Sequence, residues 1–109
     1  MARNKFNARK TQVDGFTFDS KAEADRYSEL KLLERGKEIT HLELQPEYEI
    51  SVNGRAICKY RADFRYFDAR RQKRVVEDVK GYKTDVYKLK KKLVEACYPG
   101  TEIEEVYRK

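Results

Sequence analysis

Asp63 stands in Tyr60-Arg61-Ala62-Asp63-Phe64 as the one acid between Glu49 and Asp68. Aspartate is disfavoured in strands, so its place in this apolar and basic run asks for a reason. Further along comes Asp78-Val79-Lys80. Side chains alternate along a strand, so Asp78 and Lys80 share one face and Val79 takes the other. A third acid, Glu23 in Ser20-Lys21-Ala22-Glu23, falls on the inward arc of a helix with Tyr27 and Leu30. An antiparallel pairing with an even-length connection, such as residues 68–73, sets Asp63 directly opposite Asp78. Two carboxylates about 5 Å apart repel, and a divalent cation reverses that sign. Mg²⁺ asks for oxygen ligands, usually one or two carboxylates with waters and substrate phosphate. Asp63, Asp78 and the Val79 carbonyl could supply the protein's share, with Glu23 holding a water beyond the ion's own ligands or a second cation. Metal-bound water ionises more readily than bulk water, and Lys80 is placed to orient it or to stabilise developing phosphorane charge. The chemistry expected of this set is phosphodiester hydrolysis.

Each residue also has a plain reading. Glu23 is the N3 residue of a capping box. Asp63 could pair with Arg61 or Arg65, and Asp78 with Lys80 as an ion pair on a solvated strand. Glu77 is unexplained: alternation sets it with Val75 and Val79 on the dry face, so it stays in reserve as a ligand should Asp78 point outward.

The elements that must carry these residues follow from periodicity. Residues 1–12 are polar and basic and read as an N-terminal arm, with 13–109 as a single domain. Asp14-Gly15 makes a turn between Val13 and Phe16-Thr17-Phe18. A helix begins at the Ser20 cap, runs to about Arg35 and stops at Gly36, with Tyr27, Leu30 and Leu33 on one stripe. From His41 to Val52 apolar and polar residues alternate, giving one strand, and Pro46 marks it as an edge strand. Asn53-Gly54 turns into a second strand, about Ala56 to Phe67. An odd-length loop with a bulge lets Tyr48 and Ile50 share a face with Cys58 and Tyr60, while Glu47 and Glu49 meet Lys59 and Arg61; Asp63 then lies on the charged face beside Gln45 or Glu43. A third strand spans Arg74 to Lys80 and ends at Gly81. A second helix spans Thr84 to Tyr98 with Val86, Leu89, Leu93 and Cys97 as its dry stripe, and a last strand spans Glu102 to Tyr107. This is an α/β chain with a small mixed sheet flanked by helices.

The 109 residues carry 25 Lys and Arg against 19 Asp and Glu, a net charge of +6, and 40% of them are charged. Eight Tyr and five Phe argue for a folded domain rather than a disordered one. Six lysines against one acid lie between Lys80 and Lys92, whereas Glu38 to Glu49 holds four acids and no base. Such polarity suits a polyanion, nucleic acid first, although a lysine-rich helix face is also a common solubility device. The expected phosphate contacts are Lys83 just ahead of the second helix and Tyr87, Lys88 and Lys91 on it, with Arg9, Lys10, Arg3 and Lys5 from the arm. One histidine and two cysteines, Cys58 and Cys97, are too few for a zinc site and speak against a histidine-based nucleophile. Both cysteines read as small core residues in a reducing, cytoplasmic setting. No apolar run reaches the length of a membrane span.

Taken together, Tyr60-Arg61-Ala62-Asp63-Phe64, Val76-Glu77-Asp78-Val79-Lys80-Gly81 and the helical Glu23 resemble the PD-(D/E)XK nuclease superfamily, the restriction-endonuclease-like fold with its αβββαβ core. The wider pattern, Thr11-Gln12-Val13-Asp14-Gly15, Phe18-Asp19-Ser20-Lys21, Leu44-Gln45-Pro46, Lys83-Thr84 and Tyr87-Lys88-Leu89-Lys90, is similar to a family of small phage-encoded proteins labelled as a domain of unknown function. The resemblance implies a Mg²⁺- or Mn²⁺-dependent DNA endonuclease. Glu23 would be its helix carboxylate, Asp63 and Asp78 its metal ligands and Lys80 its lysine. Ala62 stands where the motif has proline. Branched or replication-associated DNA of a phage, cut in the host cytoplasm by a homodimer, is the setting this suggests. A non-catalytic DNA-binding or regulatory module that keeps the fold is the alternative.

Overall fold

Asp14-Gly15 and Asn53-Gly54 each place two consecutive residues at positive φ, 53° and 81° in the first and 50° and 79° in the second. That geometry lets a two-residue loop match the twist of its flanking strands. The first turn joins β1 (Thr11–Val13) to β2 (Phe16–Phe18), and the second joins β4 (Glu47–Val52) to β5 (Arg55–Arg61). The computed structural model describes residues 10–80 and 83–107. Arg3, Lys5, Arg9 and Gly81 lie outside the described residues. Thr11 and Gln12, expected at the end of an arm, are paired into β1 with Phe18 and Thr17.

Helix α1 (Lys21–Arg35) starts where expected, with the Ser20 hydroxyl accepting the Glu23 amide at 3.1 Å. It buries Ala24, Tyr27 and Leu30. The left-handed residue after it is Lys37, at φ 63°, rather than Gly36.

The expected strand over His41–Val52 is in fact two. β3 (Ile39–Leu44) and β4 are separated by Gln45, at φ 52°, and Pro46. The expected strand over Ala56–Phe67 divides at the same level, into β5 and β6 (Phe64–Asp68). The ribbon stays hydrogen-bonded through the break: Gln45 N–H donates to the Asp63 carbonyl at 2.9 Å and Ala62 N–H to the Pro46 carbonyl at 3.0 Å. Its outer half is a separate two-stranded sheet and its inner half enters a four-stranded one. Register in the outer half has the expected parity, with Tyr48 opposite Tyr60 and Glu49 opposite Lys59. The loop, however, is the two-residue Asn53-Gly54, and the parity is restored by a bulge between Ala56 and Cys58.

β7 (Lys73–Lys80) pairs antiparallel with β6, and β8 (Ile103–Tyr107) pairs parallel with β7 after α2 (Asp85–Cys97) crosses between them. The sheet, ordered β3-β6-β7-β8, is therefore mixed. Two apolar clusters cover it. Phe64, Tyr66 and Val75 pack with Ala24, Tyr27 and Leu30 of α1. Val76 and Ile103 pack with Tyr87 and Val94 of α2 and with Tyr48, Ile50 and Tyr60 of the outer ribbon. Val75 and Val76 entering different clusters is strand alternation between two helix-covered faces.

The dry stripe expected on α2 is not where the helix packs. Val86 is 62% and Leu89 59% exposed, Leu93 is half-buried, and Cys97 is exposed. Tyr87 and Val94 are the buried residues instead. The outer ribbon approaches α2 from one side, so the helix turns its aromatic and its β-branched residue toward the sheet. Cys58 packs at the edge of the same cluster, and both cysteines are free. Among the described residues no helix is long and apolar enough to cross a membrane.

Candidate functional site

Asp63 occupies the break in the ribbon. The last ladder pair between β6 and β7 is Phe64 with Glu77, and the regular register does not run on to the Asp63–Asp78 pair expected from the sequence: the Asp63 amide bonds one residue short, to the Glu77 carbonyl. The connection between the strands is residues 69–72, since Asp68 and Lys73, expected within it, are themselves paired. Because β6 has ended, the side chain takes over the ladder's work. Asp63 Oδ2 accepts the Val79 N–H at 2.7 Å, while the Asp63 amide donates to the Glu77 carbonyl at 3.0 Å. Neither Arg61 nor Arg65 is its hydrogen-bonding partner: Arg65 turns to Glu43 and to the Tyr48 hydroxyl.

Asp78 and Lys80 share the α2 face, as alternation requires. Lys80 Nζ lies 3.0 Å from Asp78 Oδ1 and 3.7 Å from the centre of the Tyr87 ring. The Tyr60 hydroxyl donates to Asp78 Oδ2. The ion pair is thus present, but on a mostly buried face rather than a solvated one.

Glu23 has two parts: its amide serves the Ser20 cap, and its half-buried carboxyl responds to nearby acids. Burial, then Asp63, Asp19 and Asp78, push that carboxyl up to about 8, against the pull of Lys80. Burial also raises Asp63, opposed by the Val79 N–H and Lys80, and raises Asp78, opposed by Lys80. Glu23 thus feels the charges of Asp63, Asp78 and Lys80, and Lys80 acts on both aspartates. Asp19, one residue before the cap, belongs with them through its effect on Glu23 and Asp63. Sequence reasoning gave it no role; its position just ahead of the capping serine was the available signal.

Glu77 has a different task. It is 1% exposed and turned to the α1 face. Arg26 Nε donates to its Oε1 at 2.8 Å and Arg26 Nη2 to its Oε2 at 2.6 Å, with the Tyr66 hydroxyl on the same carboxylate. A carboxylate so engaged is a structural anchor.

Among the described residues no three Asp, Glu, His or Cys side chains stand close enough to enclose a metal ion by themselves. The donor set still has the chemistry of a Mg²⁺ or Mn²⁺ site that relies on waters and phosphate for the rest of its shell. Asp63 keeps Oδ1 clear of hydrogen bonds among the described residues. Three carboxyls whose proton affinity is raised by burial, with repulsion from neighbouring acids added (Asp63, Asp19 and Asp78 on Glu23, Asp19 on Asp63, Glu105 on Asp78), would each gain from a cation.

The family described as "Protein of unknown function (DUF1064)" matches residues 3–109. The chain belongs to this family. No curated protein and no solved structure matches it.

In this member of the family, the basic residues expected to contact phosphate are not all free. Lys83 Nζ lies 3.3 Å from Glu105 Oε1, and Lys91 Nζ 3.6 Å from Glu105 Oε2. Tyr87 is buried, and its hydroxyl donates to Glu105 Oε2 at 2.8 Å, so it holds Lys80 and Glu105 rather than facing outward. The Tyr107 hydroxyl donates to Glu105 Oε1 at 2.7 Å. These donors, Tyr107 foremost, hold the Glu105 carboxyl down at about 2. Lys88 and Lys10 are exposed, and Arg9 lies outside the described residues. The sequence reading passed over Glu105; an acid on the strand that follows the basic helix was the signal.

Proposed function

We propose that this chain is a Mg²⁺- or Mn²⁺-dependent endodeoxyribonuclease with a restriction-endonuclease-like αβββαβ core. The order α1, the β3/β4–β5/β6 ribbon, β7, α2, β8 fits that core once the two broken strands are each counted as one. The observation that carries the reading is the neighbourhood of Asp63, Asp78, Lys80 and Glu23 at one end of the sheet. Asp63, Asp78 and the Val79 carbonyl would hold the cation, which supplies a water of lowered pKa and charge neutralisation at the phosphate. Lys80, kept between Asp78 and the Tyr87 ring, holds an ammonium where negative charge would develop. Glu23, protonated near neutral pH by its surroundings, has a proton available for a leaving oxygen or a bound water.

The test is incubation with supercoiled, single-stranded and four-way-junction DNA in Mg²⁺ or Mn²⁺. Cleavage that EDTA stops is expected, with Asp78→Ala and Lys80→Ala losing it while keeping salt-sensitive binding. A second reading, a DNA-binding module without catalysis, is favoured by one observation: both Asp78 oxygens already have partners in Lys80 and Tyr60. Binding without cleavage of any of the three substrates would establish that reading.

A further inference from the structure

Glu105 is the best-served carboxylate on the α2 face. Two ammonium groups and two phenol hydroxyls converge on its two oxygens. Its side chain is 15% exposed, whereas those of Lys83 and Lys91 are 38% and 29% exposed, so the two ammoniums are reachable from solvent, as is Tyr107, while the buried Tyr87 forms the floor. In the parallel ladder Glu105 is the register partner of Asp78, one strand spacing of about 4.8 Å away. Tyr87 links the two positions, with Lys80 over its ring and Glu105 on its hydroxyl.

Two ammoniums with two hydroxyls at hydrogen-bond reach are the donor set of a phosphate site, and a carboxylate is the nearest side-chain substitute for a phosphate's oxygens. We propose that Lys83, Lys91, Tyr87 and Tyr107 form a subsite for the backbone phosphate next to the reacting one. Glu105 fills that subsite in the free protein and yields it to the polyanion. The inference rests on the nucleic-acid reading of the site above and adds to it a built-in competitor. Nucleic acid enters by exchanging one anion for another, which keeps the lysines ordered in the free protein and weakens attachment to arbitrary polyanions. The exchange costs an intramolecular contact set, so it favours a strand that also engages the Asp63–Asp78 end.

The experiment is binding of fluorescein-labelled single-stranded and duplex DNA, read by anisotropy in EDTA across a salt series, so that no cutting enters. Glu105→Gln should tighten binding about tenfold at about 0.1 M salt and steepen the slope of log K against log salt by about 1, one added phosphate contact. Glu38→Gln gives the same change of net charge beside Arg70, away from the α2 face; it should alter binding less than about twofold, as a diffuse charge effect would. Lys83→Ala with Lys91→Ala in the Glu105→Gln background should remove the gain. Glu105→Asp, which shortens the reach without removing the charge, should give a smaller gain, and a thermal melt of each variant confirms that it is folded. Equal effects of Glu105→Gln and Glu38→Gln would overturn the proposal, as would absence of DNA binding by Glu105→Gln. Should the unaltered protein cut DNA while Glu105→Gln gains nothing, the subsite falls and the nuclease reading stands. A gain in binding by a protein that never cuts keeps the exchange of Glu105 for a backbone phosphate and removes the nuclease reading, and with it the placement beside a reacting phosphate.

Discussion

Arg26 on α1 and Glu77 on β7 are joined by two parallel hydrogen bonds, 2.8 and 2.6 Å long, across the interface between helix and sheet. Arg26 follows Glu23 by one helical turn and Glu77 precedes Asp78, so the pair ties together the two segments that carry the site. A side-on guanidinium–carboxylate pairing fixes orientation as well as distance. The rotation of α1, and with it the direction of the Glu23 carboxyl, is thereby set against β7.

Removing one partner alone should be far worse than removing both. Arg26→Ala strands a buried carboxylate and is expected to cost about 3–5 kcal/mol. The double variant Arg26→Met with Glu77→Leu should recover most of that loss, because two buried charges are replaced by apolar groups of similar volume. Urea unfolding of the three proteins measures both numbers. Equal losses in the single and double variants would show that the pair is not coupled.

Asp63 separates into a structural and an ionic role. Asp63→Asn retains an oxygen for the Val79 N–H and should leave the midpoint of thermal unfolding within a few degrees. Asp63→Ala leaves that N–H without its partner, at a cost of about 1–3 kcal/mol. Neither variant should gain stability from Mg²⁺, whereas the unaltered protein should, by mass action on the folded state. Calorimetry with and without the ion distinguishes the cases.

Stability should fall with rising pH in the absence of divalent cations. Glu23 is raised to about 8 in the folded chain from an ordinary value of 4.5. Between those values the folded state holds a proton that the unfolded state has released, so each step up in pH favours unfolding. The upward displacement of Asp63 and Asp78 acts in the same direction from nearer pH 4. Thermal midpoints in EDTA from pH 5 to pH 9 should decline, Glu23→Gln should flatten the decline, and Mg²⁺ should reduce it. A midpoint that rises over the same range in EDTA would contradict the placement of these acids.

The Tyr87 ring and the Tyr87 hydroxyl should be separable. Tyr87→Phe keeps a face for the Lys80 ammonium and loses the bond to Glu105. Tyr87→Leu loses both. Ammonium–ring contacts are worth about 0.5–2 kcal/mol, so cleavage by Tyr87→Leu should fall about 2- to 30-fold below that of Tyr87→Phe. Rates measured well below both melting temperatures keep the loss of packing out of the comparison.

The candidate residues on the strands drew notice in the sequence because they departed from the local pattern. Asp63 interrupts a run where a strand wants β-branched or aromatic residues, and Asp78 and Lys80 share a parity that the apolar Val79 exposes. The parity of the ribbon could also be read, since only one choice sets Glu47 and Glu49 against Arg61 and Lys59. The break at Gln45-Pro46 and Ala62-Asp63 could not. Alternation continues through it on both strands, and the two residues that mark it, Pro46 and Asp63, read locally as an edge-strand proline and a ligand rather than as a ribbon passing from one sheet to another. On α2 the stripe Val86, Leu89, Leu93 and Cys97 exists in the sequence, yet periodicity cannot say that Tyr87 and Val94 meet the sheet. Glu77 was puzzling for want of its partner: Arg26 lies 51 positions away, and long-range pairing leaves no local trace.

The ribbon's kink separates two kinds of change. Adding a residue to each of β4 and β5 near Asn53-Gly54 would extend the arm by about 3.4 Å while Pro46 and Ala62 keep their bond and Asp63 stays where it is. The reach of the arm can therefore be tuned by insertion or deletion at its tip without retuning the acids at its root, so divergence within this architecture has a cheap place to act and a costly one to leave alone.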